Sequence, residues 1–493
     1  MRNKIIIVCL VFVMLALVPA TQAEDFNLTG TQHKDVTTSY GSGYLYASSS
    51  VDVLQGGIVN SLYADDTSTV NVSGGSVKDL WAIDLRLGQE RINISGGSVN
   101  KLYALIAVEG NEHLSYTGAL SDIASYGVQA AVGTVNNFAL YSISAYNNSS
   151  LDISSGSVSS ELYCRDNSTV NMTGGSVNTF YVHDLRLNGQ ERVNISGGSI
   201  TTLYAGITLE GNEHLSYTGS ISDIASYGVQ VAEGTVKNEF GLDYISAYNE
   251  STMDISGHMN VLNTYDNSTA DISGSLNELH TNGNSIVYIY GMGELAGSAN
   301  DNSTVNVSGD VGVNDFCAYD NSTINVSGNC VGDFWAYDAS TVNVFNCNLF
   351  GGVIQALNNS TVNVFGGALR YLFALDASTV NIFDGSIDYL GAYGGTVNIS
   401  GGSIDELYAS KQIFDSSVIF DGYDFVLGSG LSWNIDGETI LGTGILTGKW
   451  FDGTSWSTNI IAHDTTTTIM AIPEPCTMLL LGLGGLLLRR RKK

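Results

Sequence analysis

The chain has 493 residues, 57 glycines, three prolines and a formal charge of −29. Acidity on that scale excludes nucleic acid as a partner, because phosphate is repelled; it suits a solvated or cation-binding surface. Length alone would allow several domains, but Pro19, Pro473 and Pro475 all lie outside residues 20–472, as expected of a backbone ladder in which nearly every N–H pairs.

In chain order, residues 1–23 read as a secretory signal. Arg2 and Lys4 form a positive start, Ile5 to Val18 an apolar core, and Thr21-Gln22-Ala23 a small-residue cleavage site at Ala23. Export places the rest in oxidising surroundings. Residues 24–45 lack the repeat described next and are expected to cap its first turn.

From residue 46 to 410 one short word recurs. Ser68 to Ala82 reads STVNVSGGSVKDLWA, Ser168 to Val182 STVNMTGGSVNTFYV, Ser360 to Ala374 STVNVFGGALRYLFA, and Gly395 to Ala409 GTVNISGGSIDELYA. Its threonine falls at Thr304, Thr323, Thr341, Thr361, Thr379 and Thr396, in steps of 19, 18, 20, 18 and 17 residues. A repeat this short is one turn of a solenoid, not a domain. Val70 and Val72 alternate with Thr69, Asn71 and Ser73, which puts the valines on one face of a strand. Gly74-Gly75 should turn a corner, since other copies carry Asn or Asp there and these residues tolerate positive φ. A second strand follows, with Val77, Leu80 and Ala82 inward and Trp81 outward, and an Asp or Asn corner closes the turn. The expected fold is all-β: a single-stranded parallel β-helix or solenoid of roughly 18–20 coils, stacked about 4.8 Å apart into one rod on the order of 90 Å long.

Asp84 to Tyr146 returns as Asp184 to Tyr248, so a block of several turns was copied whole. Residues 105–145 lose the word but keep its spacing and are expected to remain in the solenoid. Residues 411–470 change to an aromatic, glycine-rich stretch and a polar linker. A solenoid end exposes strand edges, so this segment should be the C-terminal β cap.

Residues 471–493 hold Pro473-Glu474-Pro475, the apolar run TMLLLGLGGLLL from Thr477 to Leu488, and a basic cluster that includes Arg489, Arg490 and Arg491. The order of these parts closely resembles the PEP-CTERM sorting signal. The apolar run would form a short helix, about 18 Å at helical rise against a hydrocarbon core near 30 Å, enough for transient membrane anchoring, with the arginines kept inside. The resemblance implies an exosortase-type processing enzyme as partner, removal of the tail, and delivery to the cell surface or an extracellular matrix. The solenoid word is similar to the passenger repeats of autotransporter adhesins. With the terminal segments removed, 12 basic residues face up to 48 acidic ones, about −36.

No nucleophile elbow, phosphate loop, dinucleotide fingerprint or HExxH pattern occurs. Parallel β-helices include polysaccharide lyases and hydrolases, so paired carboxylates matter. The best set is Glu109, Glu112, His113 and Asp122, repeated as Glu210, Glu213, His214 and Asp223; duplicated turn residues in solvent are the expected reading, with no catalytic residue. Outward Tyr63, Trp81, Tyr103, Tyr163, Tyr181, Tyr204, Trp335, Phe373 and Tyr408 would form a stripe that stabilises the sheet or stacks on sugar or protein. Cys330 and Cys347 lie one turn apart, within reach of a disulfide or as two buried thiols. Asp301, Asp320 and Asp338 stack in consecutive turns. Solvent, corner amides or a bridging Ca2+ would relieve their repulsion; no other cofactor is expected. The expectation is a secreted, surface-sorted structural or adhesive protein of the envelope or exopolysaccharide matrix, with polysaccharide or other surface proteins as partners; a carbohydrate-active β-helix enzyme is the alternative.

Overall fold

The structure, a computed structural model, describes residues 23–131, 133–187, 192–232, 234–290, 294–410, 416–433, 439–462 and 468–472. The secretory segment up to residue 22 and the sorting tail with Pro473, Glu474, Pro475, Arg489, Arg490 and Arg491, including its expected apolar helix, lie outside the described residues. The chain is nearly all β, built of stacked parallel turns, about 20 in number. It divides into two compact units: residues up to Ala205 with Ala225–Phe240, and Gly206–Ile224 with Gly241 onward.

Alternation decides the core. Thr69–Val72 and Thr361 to Val364 place both valines of each word inside and the Thr and Asn outside. Val77, Leu80 and Ala82 are likewise buried, and Trp81 faces outward. Each turn buries a few apolar side chains from two or more walls, and stacking removes them from water at roughly 25 cal/mol per Å2.

In the first unit, one wall is a parallel series running Ser39–Leu45, Ile58–Ala64, Ser76–Leu85, Ser98–Val108, Val135–Ala145, Ser157–Cys164 and Ser176–Leu185. The TVNV wall is split into two five-stranded parallel sheets, His33–Val36 through Val128–Ala130 and His113–Tyr116 through Val229–Val231. Residues 105–145 stay in the parallel stack, as expected, but by an indirect path. After Ser98–Val108 the chain opens the second small sheet with His113–Tyr116, crosses by a 3-10 segment at Leu120–Tyr126, and returns to finish the first small sheet with Val128–Ala130. The spacing survives there, but the path is a detour rather than plain turns. Residues 24–45, expected as a separate cap, already form strands in register with the next turn: Phe26 opposite Gly43, His33 opposite Ser50, Ser39 opposite Ile58.

The second unit holds the most regular turns. Strands Thr304–Ala318, Thr323–Ala336, Thr361–Leu375 and Thr379–Tyr393 each run around the glycine corner, and the repeat threonines pair Thr304, Thr323, Thr341, Thr361, Thr379 and Thr396 in direct register. At the cap, Ser417–Asp421, Ser455–Ala462 and Thr468–Ile472 extend the parallel stack, while Thr439–Lys449 pairs antiparallel with Tyr423–Leu427, Leu431–Trp433 and Ser455–Ala462. Antiparallel hairpins folded over the last turn cover an edge that would otherwise template association.

Candidate functional site

The corners come first, because they hold the acids. Asp66, Asp166, Asp266, Asp301, Asp320, Asp338 and Asp376 all have φ between 50° and 58°, and Asn147, Asn249 and Asn358 take the same conformation. Asp and Asn are the side-chain-bearing residues that accept this region most readily. The carboxylates also bond across turns. Asp301 Oδ2 accepts from Gly283 N at 2.9 Å and Asp320 Oδ2 from Asp301 N at 3.3 Å, while Asp338 Oδ1 accepts from the Asn358 amide at 3.4 Å. Backbone N–H groups and a side-chain amide therefore meet the stacked charges. Among the described residues, the one group of three ligand atoms close enough to share an ion lies elsewhere, at His33, Asp35 and Asp52.

The glycine corner has positive φ at Gly97, Gly175, Gly198, Gly309, Gly328, Gly385 and Gly402, whereas Gly75 does not. The serine before the repeat threonine, absent only before Thr396 where Gly395 stands and given no role by the sequence reading, is buried at the Asp corner. Ser322 Oγ donates to Ala299 O at 2.9 Å and Ser340 Oγ to Ala318 O at 3.1 Å. In these turns the hydroxyl satisfies a carbonyl of the previous turn, whereas the buried hydroxyls of Ser68 and Ser378 have no hydrogen-bond partner.

Two buried arginines stand level with the repeat threonine where the word is lost. Arg91 is 3% exposed and its guanidinium binds only carbonyls: Nε to Ser68 O at 3.1 Å, Nη1 to Ile83 O and Asp84 O at 2.8 Å each, and Nη2 to Ala64 O at 3.4 Å. Burial holds its pKa below the usual arginine value, and Asp84, Asp65 and Asp66 act in the opposite direction. Arg192 repeats the arrangement on Ser168 O, His183 O and Asp184 O. The signal available in the sequence was Glu-Arg standing where Ser-Thr stands elsewhere, immediately before INI and VNI.

The nominated acids do not converge on a reacting centre. Glu112 Oε2 accepts from Glu109 N at 3.2 Å, and Asp122 Oδ2 caps Thr117 N, Thr117 Oγ1 and Ala119 N at 2.7, 2.9 and 3.0 Å. Glu213 and Asp223 do the same for Glu210 N, Thr218 and Ser220 N. A hollow of about 240 Å3 is lined in part by Asp84, Arg86, Glu109 and Tyr146, and Arg86 bridges Asp84 and Glu109 at 3.1 Å each. The hydrogen bond to Asp84 raises the Arg86 pKa further.

The outward rings stack along the turns. Tyr44, Tyr63, Trp81 and Tyr103 form one run with centroid separations of 4.9, 6.0 and 4.1 Å and planes within 17°, and Tyr141 meets Trp81 edge-on. Tyr163, Tyr181 and Tyr204 form another. Tyr44 was missed because residues 24–45 lack the word. Around residue 370 the stripe is broken: the register runs Trp335, Gln355, Phe373, Gly391, Tyr408. The ring faces cover one another, so solvent meets mainly their edges. A second aromatic ladder, Phe345, Phe365 and Phe383, is 40–47% exposed with 4.9 and 5.0 Å spacing. Beside the repeat threonines runs an amide ladder. Asn325, Asn343, Asn363, Asn381 and Asn398 each donate Nδ2 to the Oδ1 of the asparagine one turn back, beginning at Asn306, at 2.8 to 2.9 Å.

Cys330 and Cys347, one turn apart, are buried and unbridged, and Cys330 Sγ donates to Ser327 O at 3.8 Å. The neighbouring Cys347 thiol and burial push the Cys330 pKa up.

This geometry defines the class: a β-solenoid repeat protein whose surface consists of side-chain ladders. A family model, the PEP-CTERM protein-sorting motif, matches residues 471–493. The chain carries that motif, a recognition signal for exosortase-type processing that implies export, secretion and surface association. No curated protein and no solved structure matches the chain. Among the described residues no helix is long and apolar enough to cross a membrane.

Proposed function

We propose that the mature chain is a structural or adhesive element of the envelope or exopolysaccharide matrix, without catalytic activity. The observation that carries this reading is the fate of the acids: Glu112, Asp122, Glu213 and Asp223 hold turn N–H groups, and Asp84 and Glu109 are held by Arg86. Glycoside cleavage needs one carboxyl group to deliver a proton and another to act across the same bond. Carboxylates committed to backbone N–H groups or to a guanidinium serve the fold instead. Uniform ladders repeated from turn to turn offer many equal, weak contacts, which suits multivalent attachment. The polar rows of Thr and Asn are the face for hydrated polysaccharide, since the aromatic rings offer mostly edges. No metal or other cofactor is needed for this role.

The test is a deletion strain compared with strains expressing the native chain or a Pro473-Glu474-Pro475 to triple-alanine variant. Loss of surface attachment on deletion, restored by the native chain and not by the variant, is expected. Unchanged attachment in the deletion strain overturns the adhesive role, and release of reducing sugar from matrix polysaccharide by the purified chain overturns the non-catalytic one.

A further inference from the structure

We propose that His33, Asp35 and Asp52 bind one divalent transition-metal ion of the zinc or copper type on the first turns. His33 and Asp35 alternate outward on His33–Val36, and the parallel register sets Asp52 opposite Asp35 and Ser50 opposite His33. His33 Nε2 lies 3.0 Å from Asp35 Oδ1 and 3.8 Å from Asp52 Oδ2, and the three ligand atoms all lie within 4.8 Å of one another. Metal–ligand bonds of about 2.0–2.2 Å separate tetrahedral ligand atoms by roughly 3.3–3.6 Å, so small side-chain rotations close the set around an ion, with water completing the coordination.

Two neighbours orient these ligands. Ser50 Oγ lies 2.7 Å from His33 Nδ1, and once an ion takes the place of the Nε2 proton that Asp35 accepts here, Ser50 Oγ can accept from Nδ1–H and hold Nε2 toward the ion. Asn71, one turn further on, donates Nδ2 to Asp52 Oδ1 at 2.7 Å, leaving Oδ2 for the ion. The imidazole selects against Ca2+, which takes oxygen ligands, and toward borderline ions. The strongly acidic surface raises the local cation concentration.

The chain contains its own comparison. His113 contacts Ser150 at 2.8 Å and Asp152 at 3.6 Å, and His214 contacts Thr252 at 2.9 Å and Asp254 at 3.7 Å, the same cross-strand pattern. There the place of Asp35 is taken by Ser115 and Ser216, opposite Asp152 and Asp254. Those sites have two ligands and the first has three, a difference that separates a designed-in ion site from a generic histidine–aspartate pairing on an exposed face.

Calorimetric titration of Zn2+ into the chelator-treated full chain is expected to show one saturable equivalent. Asp35→Ser, which copies the two-ligand sites, and His33→Gln should each weaken it at least tenfold, and Asn71→Ala by about tenfold. Ser115→Asp should add a second equivalent, a gain that misfolding cannot imitate. The proposal is overturned if wild type shows no saturable equivalent, or if His33→Gln and Asp35→Ser titrate like wild type.

Discussion

The turns between Asp301 and Ser410 and the block from Asp84 to Tyr146 solve one problem with different chemistry. Each turn must reverse at a corner where carbonyls of the previous turn point inward. The regular turns use a left-handed Asp or Asn and a buried serine, as at Asp320 and Ser322. The irregular block gives up Ser-Thr for Glu90-Arg91, makes a longer excursion, and satisfies four carbonyls with one guanidinium. A parallel stack thus tolerates loss of its repeat word so long as the inward carbonyls find donors, since an unmet buried carbonyl costs about 1–3 kcal/mol.

The sharpest way to break this comparison is Arg91→Met, which keeps apolar bulk and removes every donor. Urea unfolding should show a loss of about 3–5 kcal/mol. Arg86→Ala, which removes a half-exposed ion pair, should lose less than about 1 kcal/mol. Equal effects would show that Arg91 is not what closes this corner. In the regular turns, Asn343→Ala removes one donated and one accepted ladder bond, and the same measurement should give about 1–3 kcal/mol. A neutral result would make the amide ladder ornamental.

At the corner, Asp320→Ala should lose about 1–2 kcal/mol from the left-handed conformation alone, while Asp320→Asn stays near wild type. Capping of the stacked carboxylates by N–H groups further predicts the same melting temperature in CaCl2 and in NaCl of equal ionic strength. A rise specific to Ca2+ would show that the Asp301–Asp320–Asp338 ladder binds the ion.

The smallest effect is alkaline. Burial pushes the Tyr116 and Tyr217 phenols up to about 12 from an ordinary value of 10.0. The folded state therefore binds the phenolic protons more tightly than the unfolded state. That preference is fully present below pH 10 and is lost as pH rises toward 12. The melting temperature should fall across this window, and Tyr116→Phe should make the fall shallower. An identical slope in the variant would remove Tyr116 from the account.

Much of the fold was legible because the word is periodic in two senses. Alternation placed Val70, Val72, Val77, Leu80 and Ala82 inside, and the threonine spacing stacked the turns in the register later found. The acids of the Glu109 and Glu210 sets were readable as turn residues from their setting. The buried role of Ser322 was not, since a serine beside a threonine in a polar corner looks solvated. Arg91 was hidden for a similar reason: a charged residue in a Gly-Gln-Glu loop carries no local sign of burial. The aromatic stripe was over-read where Gln355 and Gly391 interrupt it, because its members were gathered from turns that are not adjacent. His33 attracted no notice, because Asp35 is local to it while Asp52 arrives from the next turn.

Local chemistry, then, was enough for the strand faces, the left-handed aspartates and the sorting tail, all of which depend on neighbours within a few residues. Which turn lies on which between residues 105 and 145 was not, because a parallel ladder joins residues separated by a whole turn, and a segment without the word has no local preference among partners. Stacking chose there: His113–Tyr116 went to Ser150–Ile153 and Val128–Ala130 went back to Ile92–Ile94. Stacking one turn on the next likewise set Ala64 O and Ser68 O before Arg91 and brought Asp52 beside His33.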